Sequence, residues 1–329
     1  MVWRPLDKKN LVFIMGIGIL LCILPTFVRS GFILHIFIMT FILSAVVAAW
    51  DLIVGYAGIF SFGQIAFFTI GAYGSAITSM QFGISPWIGI ILGGISAAVV
   101  GLIIGIPCLK LKGLYVALVT FTLHLSLTAF IYLGKPIGTG GSHSLTGIPA
   151  LQIGSYVFTI MNRVPIYYAA LALSSVVIFV VYKIIHSSFG MAFTALRDAE
   201  NFSKSIGINA YKYKIIVFGI SSMLAGIMGG FYSHYVGLIS HNLVGLDLII
   251  LLLVALIIGG LGRFPGSVVA TYIIVFLNEY LRPLEEYRAI ILGIIVIASI
   301  ILLPGGIGDG IKILANKLTK KIGVKQEAQ

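Results

Sequence analysis

Ten stretches of this chain are apolar over lengths that matter to a lipid bilayer, and this limits the fold before any motif is read. They are Leu11–Val28, Phe32–Val54, Ile59–Met80, Pro86–Ile106, Gly113–Leu133, Ile166–Ile185, Ile215–Tyr235, Leu246–Ile258, Phe264–Leu281 and Ala289–Leu303. A helix that crosses the hydrocarbon needs roughly 20 such residues. Only 9% of the 329 residues are charged, against about 25% in a soluble domain, so the chain lacks the charge to cover a water-facing surface. The expected class is an all-α polytopic membrane protein of about ten transmembrane helices. A β-barrel would show short alternating segments instead. The eighth run is short and the third is rich in glycine, so both are candidates for broken or re-entrant segments. Arg4, Lys8 and Lys9 precede the first run, but no small-x-small site follows it, and it reads as an uncleaved span. Cys22 and Cys108 lie in or at the end of apolar runs and read as small buried hydrophobes, not as a disulfide or metal pair.

The net charge of +11 is a statement about topology rather than about nucleic acid, because basic residues of membrane proteins gather in cytoplasmic loops. With the N-terminus inside, all of the 21 Lys and Arg fall inside except Arg29, Lys135, Arg163, Arg282 and Arg288. That bias predicts both termini in the cytoplasm. It divides the chain into a cytoplasmic N-terminus (1–10), a membrane domain (11–303) and a basic cytoplasmic tail (304–329). The membrane domain carries a long external loop at 134–165 and a polar cytoplasmic loop at 186–214. The tail holds a candidate amphipathic helix, Ile307–Leu318, drawn to the inner membrane face by anionic lipid.

The loop at 186–214, HSSFGMAFTALRDAENFSKSIGINAYKYK, is a polar element tied to the membrane at both ends. Phe189, Phe193, Leu196, Ala199, Phe202 and Ile206 recur at steps of three or four, which predicts one amphipathic helix with a broad apolar face. Glu200 and Lys204 form a favourably oriented i,i+4 pair, and Gly207 supplies a C-terminal stop. The face mixes acid with base, whereas a helix that only lies on lipid is more uniformly basic. The loop therefore reads as a handle that docks a partner.

Two stretches inside the membrane are rich in glycine. In Gly55–Ser75, small residues permit close helix packing, and glycine also permits a break whose freed backbone lines a cavity. Ser61, Gln64 and Thr69 are available there to hydrogen-bond. Gly259–Ser267 lies in the opposite half of the chain, and paired interruptions of this kind point to a site between repeats. The candidate translocation path is therefore Ser61, Gly63, Gln64, Thr69, Gly259 and Gly260. Asp51, Asp247 and Glu279 lie near run ends and are expected to reach the interface. His35, His124 and His234 read as isolated packed or hydrogen-bonded histidines. The sequence holds neither HExxH nor GxSxG, which removes support for intramembrane hydrolysis. It also lacks GxxxxGK[ST], so any ATP-driven step needs a second chain.

The segment S-F-G-M-A-F-T-A-L-R-D-A-E (Ser188–Glu200) with Gly207, Ile208 and Asn209 resembles the coupling loop of bacterial ATP-binding-cassette importer permeases. It is most similar to the LivM type of the branched-chain amino acid permeases. G-Y-A-G-I-F-S-F-G-Q-I-A-F-F-T-I-G-A-Y (Gly55–Tyr73), G-L-Y-V-A-L-V-T (Gly113–Thr120), G-T-G-G-S-H-S-L-T-G-I-P (Gly138–Pro149), G-G-L-G-R-F-P-G-S (Gly259–Ser267) and L-P-G-G-I (Leu303–Ile307) match in order. Trp50-Asp51, Gln64 and His143 depart from the family pattern, which bears on substrate choice.

The resemblance implies a non-enzymatic transport subunit in a bacterial or archaeal cell membrane. Its partners would be a second homologous permease, two ATPase subunits that carry the ATP and magnesium, and an extracytoplasmic substrate-binding protein, with no cofactor in this chain. Arg197, Asp198, Ala199, Glu200 and Gly207 would couple to the ATPases, and Gly140, Gly141, Ser142 and His143 would meet the binding protein. Leucine, isoleucine and valine are the implied cargo, with urea or short amides as the alternative. A stand-alone ion-coupled carrier is the alternative of a different class.

Overall fold

The computed structural model describes residues 21–307 apart from 29, 109–110, 112, 135, 137, 142, 154–155, 159–162, 285–286 and 303–304. Most of the first apolar run and all but the first residue of the tail helix expected at Ile307–Leu318 lie outside the described residues.

Helices occupy the apolar runs because in lipid every backbone polar group must find its partner within the protein. Helix α1 (Gly31–Asp51) continues as a π-helical turn, Leu52–Tyr56. An irregular stretch, 57–63, leads into α2 (Gln64–Phe82), so the third apolar run becomes helical only at Gln64. There follow α3 (Pro86–Cys108), α4 (Leu114–Leu133), α5 (Arg163–Ile185), α6 (Ser188–Asp198), α7 (Glu200–Ser205) and α8 (Ala210–Val236). The last three are α9 (Leu246–Gly259), α10 (Gly266–Tyr280) and α11 (Tyr287–Leu302). Among the described residues, Gly31–Tyr56, Pro86–Cys108, Leu114–Leu133, Arg163–Ile185 and Ala210–Val236 are long and apolar enough to cross a membrane. Leu246–Gly259, Gly266–Tyr280 and Ile290–Ser299 are shorter apolar helices. The protein is a multi-pass, helical membrane protein.

Two packing centres organise the helices. In the first, α2, α3 and α8 cross at positions without side chains. A Cβ on Gly71 would lie 2.2 Å from the carbonyl oxygen of Gly226, one on Gly93 2.4 Å from that of Gly71, and one on Gly229 1.9 Å from that of Phe68. Lipid is as apolar as leucine, so helix association there depends on close van der Waals approach, which these glycines permit. The second centre is α1, buried almost throughout, with α5, α8 and α10 around it. Phe41 meets Tyr167 edge-on at 5.1 Å and Phe37 meets Phe276 at 4.9 Å. Helices α9, α10 and α11 pack together beyond it.

The segments that join the helices gather at two ends. At one end, Leu145 and Thr146 (β1, Leu145–Thr146) pair with Ile239 and Leu238 (β2, Leu238–Ile239). The Trp87 indole donates to the carbonyl of Gln152 at 3.0 Å, and Arg163 donates to that of Gly31. His234 Nδ1 sits 2.7 Å from the carbonyl oxygen of Pro149, which can only accept, so Nδ1 carries the proton. In the neutral ring, Nε2 then accepts from Ser75 Oγ at 2.8 Å. The opposite end gathers residues 55–58, the handle, the 259–267 loop and Gly305.

Three expectations change. The handle is two helices, α6 and α7, bent at Ala199 (φ −151°, ψ 71°), not one. Asp51 is 1% exposed, buried against the 262–267 segment instead of reaching solvent. Cys22 is exposed, while Cys108 is buried as expected.

Candidate functional site: the handle and the junction beneath it

The handle is built around Tyr213 at the start of α8. Phe193 and Phe189 meet its ring at 6.2 and 5.9 Å, and Phe193 and Leu196 are fully buried. Ser187 caps α6 by accepting from the backbone N–H of Phe189. Beyond Ala199 the chain turns because Glu200 bonds to Lys214 of α8 at 2.9 Å as well as to Lys204 at 2.8 Å, and because Ser203 Oγ donates to the carbonyl of Ala195. Partial burial pushes the Glu200 carboxyl up, but hydrogen bonds and charge from both lysines outweigh it and leave it below its ordinary value. Gly207 ends α7 at φ +92°. The N–H of Ile208 returns to Ser203 and that of Gly207 to Lys204, a Schellman cap that only an αL residue closes without strain.

The redirection leaves Phe202 and Ile206 68% and 62% exposed, with Met191 and Tyr211 exposed nearby and the Asp198 side chain in solvent. Arg197 points the other way. Its Nε bonds to Asp198 at 2.8 Å, and Nη1 donates to the carbonyl oxygen of Gly55 at 2.6 Å. Ala199 is the bend itself.

Beneath Arg197 the two glycine-rich stretches meet, through Gly55 and Gly262. A Cβ on Gly55 would lie 2.2 Å from the nitrogen of Gly262. The N–H of Gly262 donates to Asp51 Oδ1 at 2.8 Å, Ser267 Oγ donates to Oδ2 at 3.3 Å, and the N–H of Phe264 donates to the Tyr56 hydroxyl at 3.2 Å. Gly259 packs against Ser267, and Gly260 (φ +88°) against Gly305.

The remaining path candidates lie above the junction. The carbonyl of Ser61 accepts from the Trp50 indole at 2.7 Å. Gln64 is 1% exposed, donates weakly to Val46 at 3.4 Å and accepts from Ser221 at 3.2 Å. Gly63 lies against Phe67 at the start of α2. Thr69 is fully buried with no hydrogen-bond partner for its hydroxyl among the described residues, and it lines a cavity of about 250 Å³ together with Tyr73, Ser96, Phe130 and Thr139. At the opposite end of the molecule, Gly140 (φ +81°) and Gly141 (φ +65°) shape a turn that leaves His143 exposed, while Ser142 lies outside the described residues. Sequence reasoning missed Asp51, Ser221 and the inward reach of Arg197. Only Asp51 gave a signal, as a carboxylate inside an apolar run.

A family model described as branched-chain amino acid transport system / permease component matches residues 32–300, a stretch that holds the handle, the junction and the cavity. The chain belongs to that family. The permease is 25% identical to the high-affinity branched-chain amino acid transport system permease protein LivM of Salmonella typhimurium, over 91% of this chain and 75% of the relative. The LivM protein of Escherichia coli matches to the same extent. This chain is also 27% identical to the ribose import permease protein RbsC of Haemophilus influenzae, over 90% of this chain and 92% of that protein. Its family thus includes relatives whose names carry different cargoes. No solved structure matches.

Proposed function

We propose that this permease moves leucine, isoleucine and valine across a bacterial or archaeal cell membrane as one subunit of an ATP-driven importer. Two ATPase subunits dock on the handle, a second homologous permease completes the path, and an external protein delivers the cargo near His143. The chain crosses the bilayer about ten times with both termini in the cytoplasm, as the distribution of its basic residues requires. ATP and magnesium are held by the ATPases. Their association drives a bistable bundle between outward- and inward-open states, which two ligands, ATP inside and loaded binding protein outside, can bias.

The observation that carries this reading is the handle. It is rigidly capped, it is fastened to α8 by Glu200, and it turns an apolar edge (Phe202, Ile206) into solvent beside Asp198. Such an edge on a soluble-side element suits a protein groove. A stand-alone carrier is disfavoured because it would leave this edge without a use. The path is read through the irregular 57–63 stretch, past Ser61 and Gln64 towards Thr69.

Copurification from native membranes tests the proposal. Two ATPase chains and a second permease are expected, and their binding protein should take up leucine in preference to urea or ribose. A chain that emerges alone and transports on an ion gradient would overturn it.

A further inference from the structure

The handle has two faces, and they do different things. Its outer edge is apolar and exposed. Its inner side sends Arg197 into the junction, where that side chain joins three segments far apart in sequence. Nη1 holds the carbonyl oxygen of Gly55, the Cγ methylene lies 2.5 Å from where a Cβ on Gly58 would be, and Nη1 comes within 2.8 Å of the Cβ position of Gly262.

The carbonyl of Gly55 is available for a physical reason. It stands at the end of a helix, where carbonyls lose their intrahelical partners. The π turn shifts the pattern further: the N–H of Ala57 bonds to Leu52 and that of Ile59 to Ile53. A guanidinium is a permanent donor with a rigid fork, and a charge-assisted bond to a freed carbonyl is stronger than a neutral one. The same π turn is fastened from the other side by Asp51, whose two oxygens take the Gly262 N–H and the Ser267 hydroxyl. The buried carboxylate thus fixes the loop before α10 to the end of α1, and Arg197 fixes the handle to the end of α1 while lying against Gly262.

We propose that Arg197 is a positioning residue, a latch on the freed Gly55 carbonyl through which a displacement of the handle acts on the irregular 57–63 stretch, and that it takes no part in docking a partner. The inference rests on the importer reading for the source of the displacement, but the latch itself belongs to this chain. The Asp198 bond to Nε holds the guanidinium plane in place, and the two glycines keep the approach free of side chains. When the handle shifts, the pull falls on Gly55, two residues before the irregular 57–63 stretch begins and six before Ser61.

The test has two parts, both on the full-length chain. In the first, a Ser61→Cys reporter is placed in a Cys22→Ser, Cys108→Ser background and labelled with a small maleimide. Ser61 is 2% exposed, so labelling is slow. Arg197→Ala is expected to speed it about tenfold, the scale of an ordinary coupling free energy, while Arg197→Lys, which keeps the charge and N–H donors without the rigid fork, recovers part of the protection. An unchanged rate overturns the latch whatever the partners prove to be. In the second, the importer is reconstituted in vesicles with its copurified subunits. Arg197→Ala should retain the ATPases and their ATP hydrolysis, with uptake per ATP down about tenfold. Loss of the ATPases would make Arg197 a docking contact and overturn the proposal, as would an unchanged ratio. A wild-type chain that brings no ATPase condemns the importer reading, and the labelling result still decides the latch. Should Arg197→Ala fail to fold, Arg197→Gln keeps the bulk and a donor without the charge, and is read in the same two assays.

Discussion

Gly229 in α8 and Gly262 in the loop before α10 both let backbones touch, yet the contacts they make are of different kinds. At Gly229 two regular helices cross within their helical spans, where backbone groups bond along each helix. The contact is pure packing and offers nothing for another element to grip. At Gly262 the chain is irregular on both sides, so peptide groups are free, and Asp51, Tyr56 and Arg197 from other segments take them up. One region is a packed spine, and the other is a joint fastened by hydrogen bonds from distant side chains. Both contain glycine because no side chain fits, and only the surrounding hydrogen bonds distinguish them.

The contrast can be broken most forcefully at the spine. Gly229→Val places a branched side chain 1.9 Å from the Phe68 carbonyl, and the expected cost exceeds about 3 kcal/mol. Folded protein in detergent should disappear, and a normal melting temperature would mean that α2 and α8 do not approach this closely. Gly262→Ala is the matching change at the joint. It forces alanine into φ +68° with its Cβ 2.7 Å from the Gly55 carbonyl, at about 1–3 kcal/mol. Here uptake should fall well before thermal stability does, and equal losses of the two would erase the distinction between the regions.

Thr69→Val sharpens the comparison between them. The Thr69 hydroxyl is buried with no hydrogen-bond partner among the described residues, which costs about 1–3 kcal/mol if nothing uses it. If it only packs, the substitution raises the melting temperature and leaves uptake alone. If it serves the path, uptake falls while stability holds. That second outcome is expected, and intact uptake would remove Thr69 from the path.

Glu200→Gln is the smallest effect, about 0.5 kcal/mol for an exposed pair. The folded Glu200 value is depressed, so its contribution is full above the ordinary carboxylate value near 4.3 and is lost as pH falls through the lower folded value. The melting curves of the two proteins should therefore differ at pH 7 and converge in acid. A gap that persists in acid would assign the effect to packing.

The positions of the apolar helices were legible because apolar length is what a bilayer selects, and each of the nine runs after the first carries a helix. The Glu200–Lys204 pair and the Gly207 stop were legible too, since both follow from local spacing. The bend at Ala199 was not. Alanine is the best helix former, so propensity argued for continuity, and the turn is imposed from outside by Lys214 on α8 and by the side chain of Ser203. Asp51 was visible as an anomaly, but its partners are 211 and 216 residues away, and no pattern of spacing reaches so far.

By itself, the sequence determined the class of the protein, the location of its helices and the existence of a polar handle. All of these depend on composition and on contacts a few residues apart. The tertiary structure decided which glycines form the spine and which form the joint, that the handle bends, and that Arg197 faces inward. Each of these depends on which backbone group has lost its local partner and which distant side chain is close enough to replace it, and that is a property of the packed helices alone.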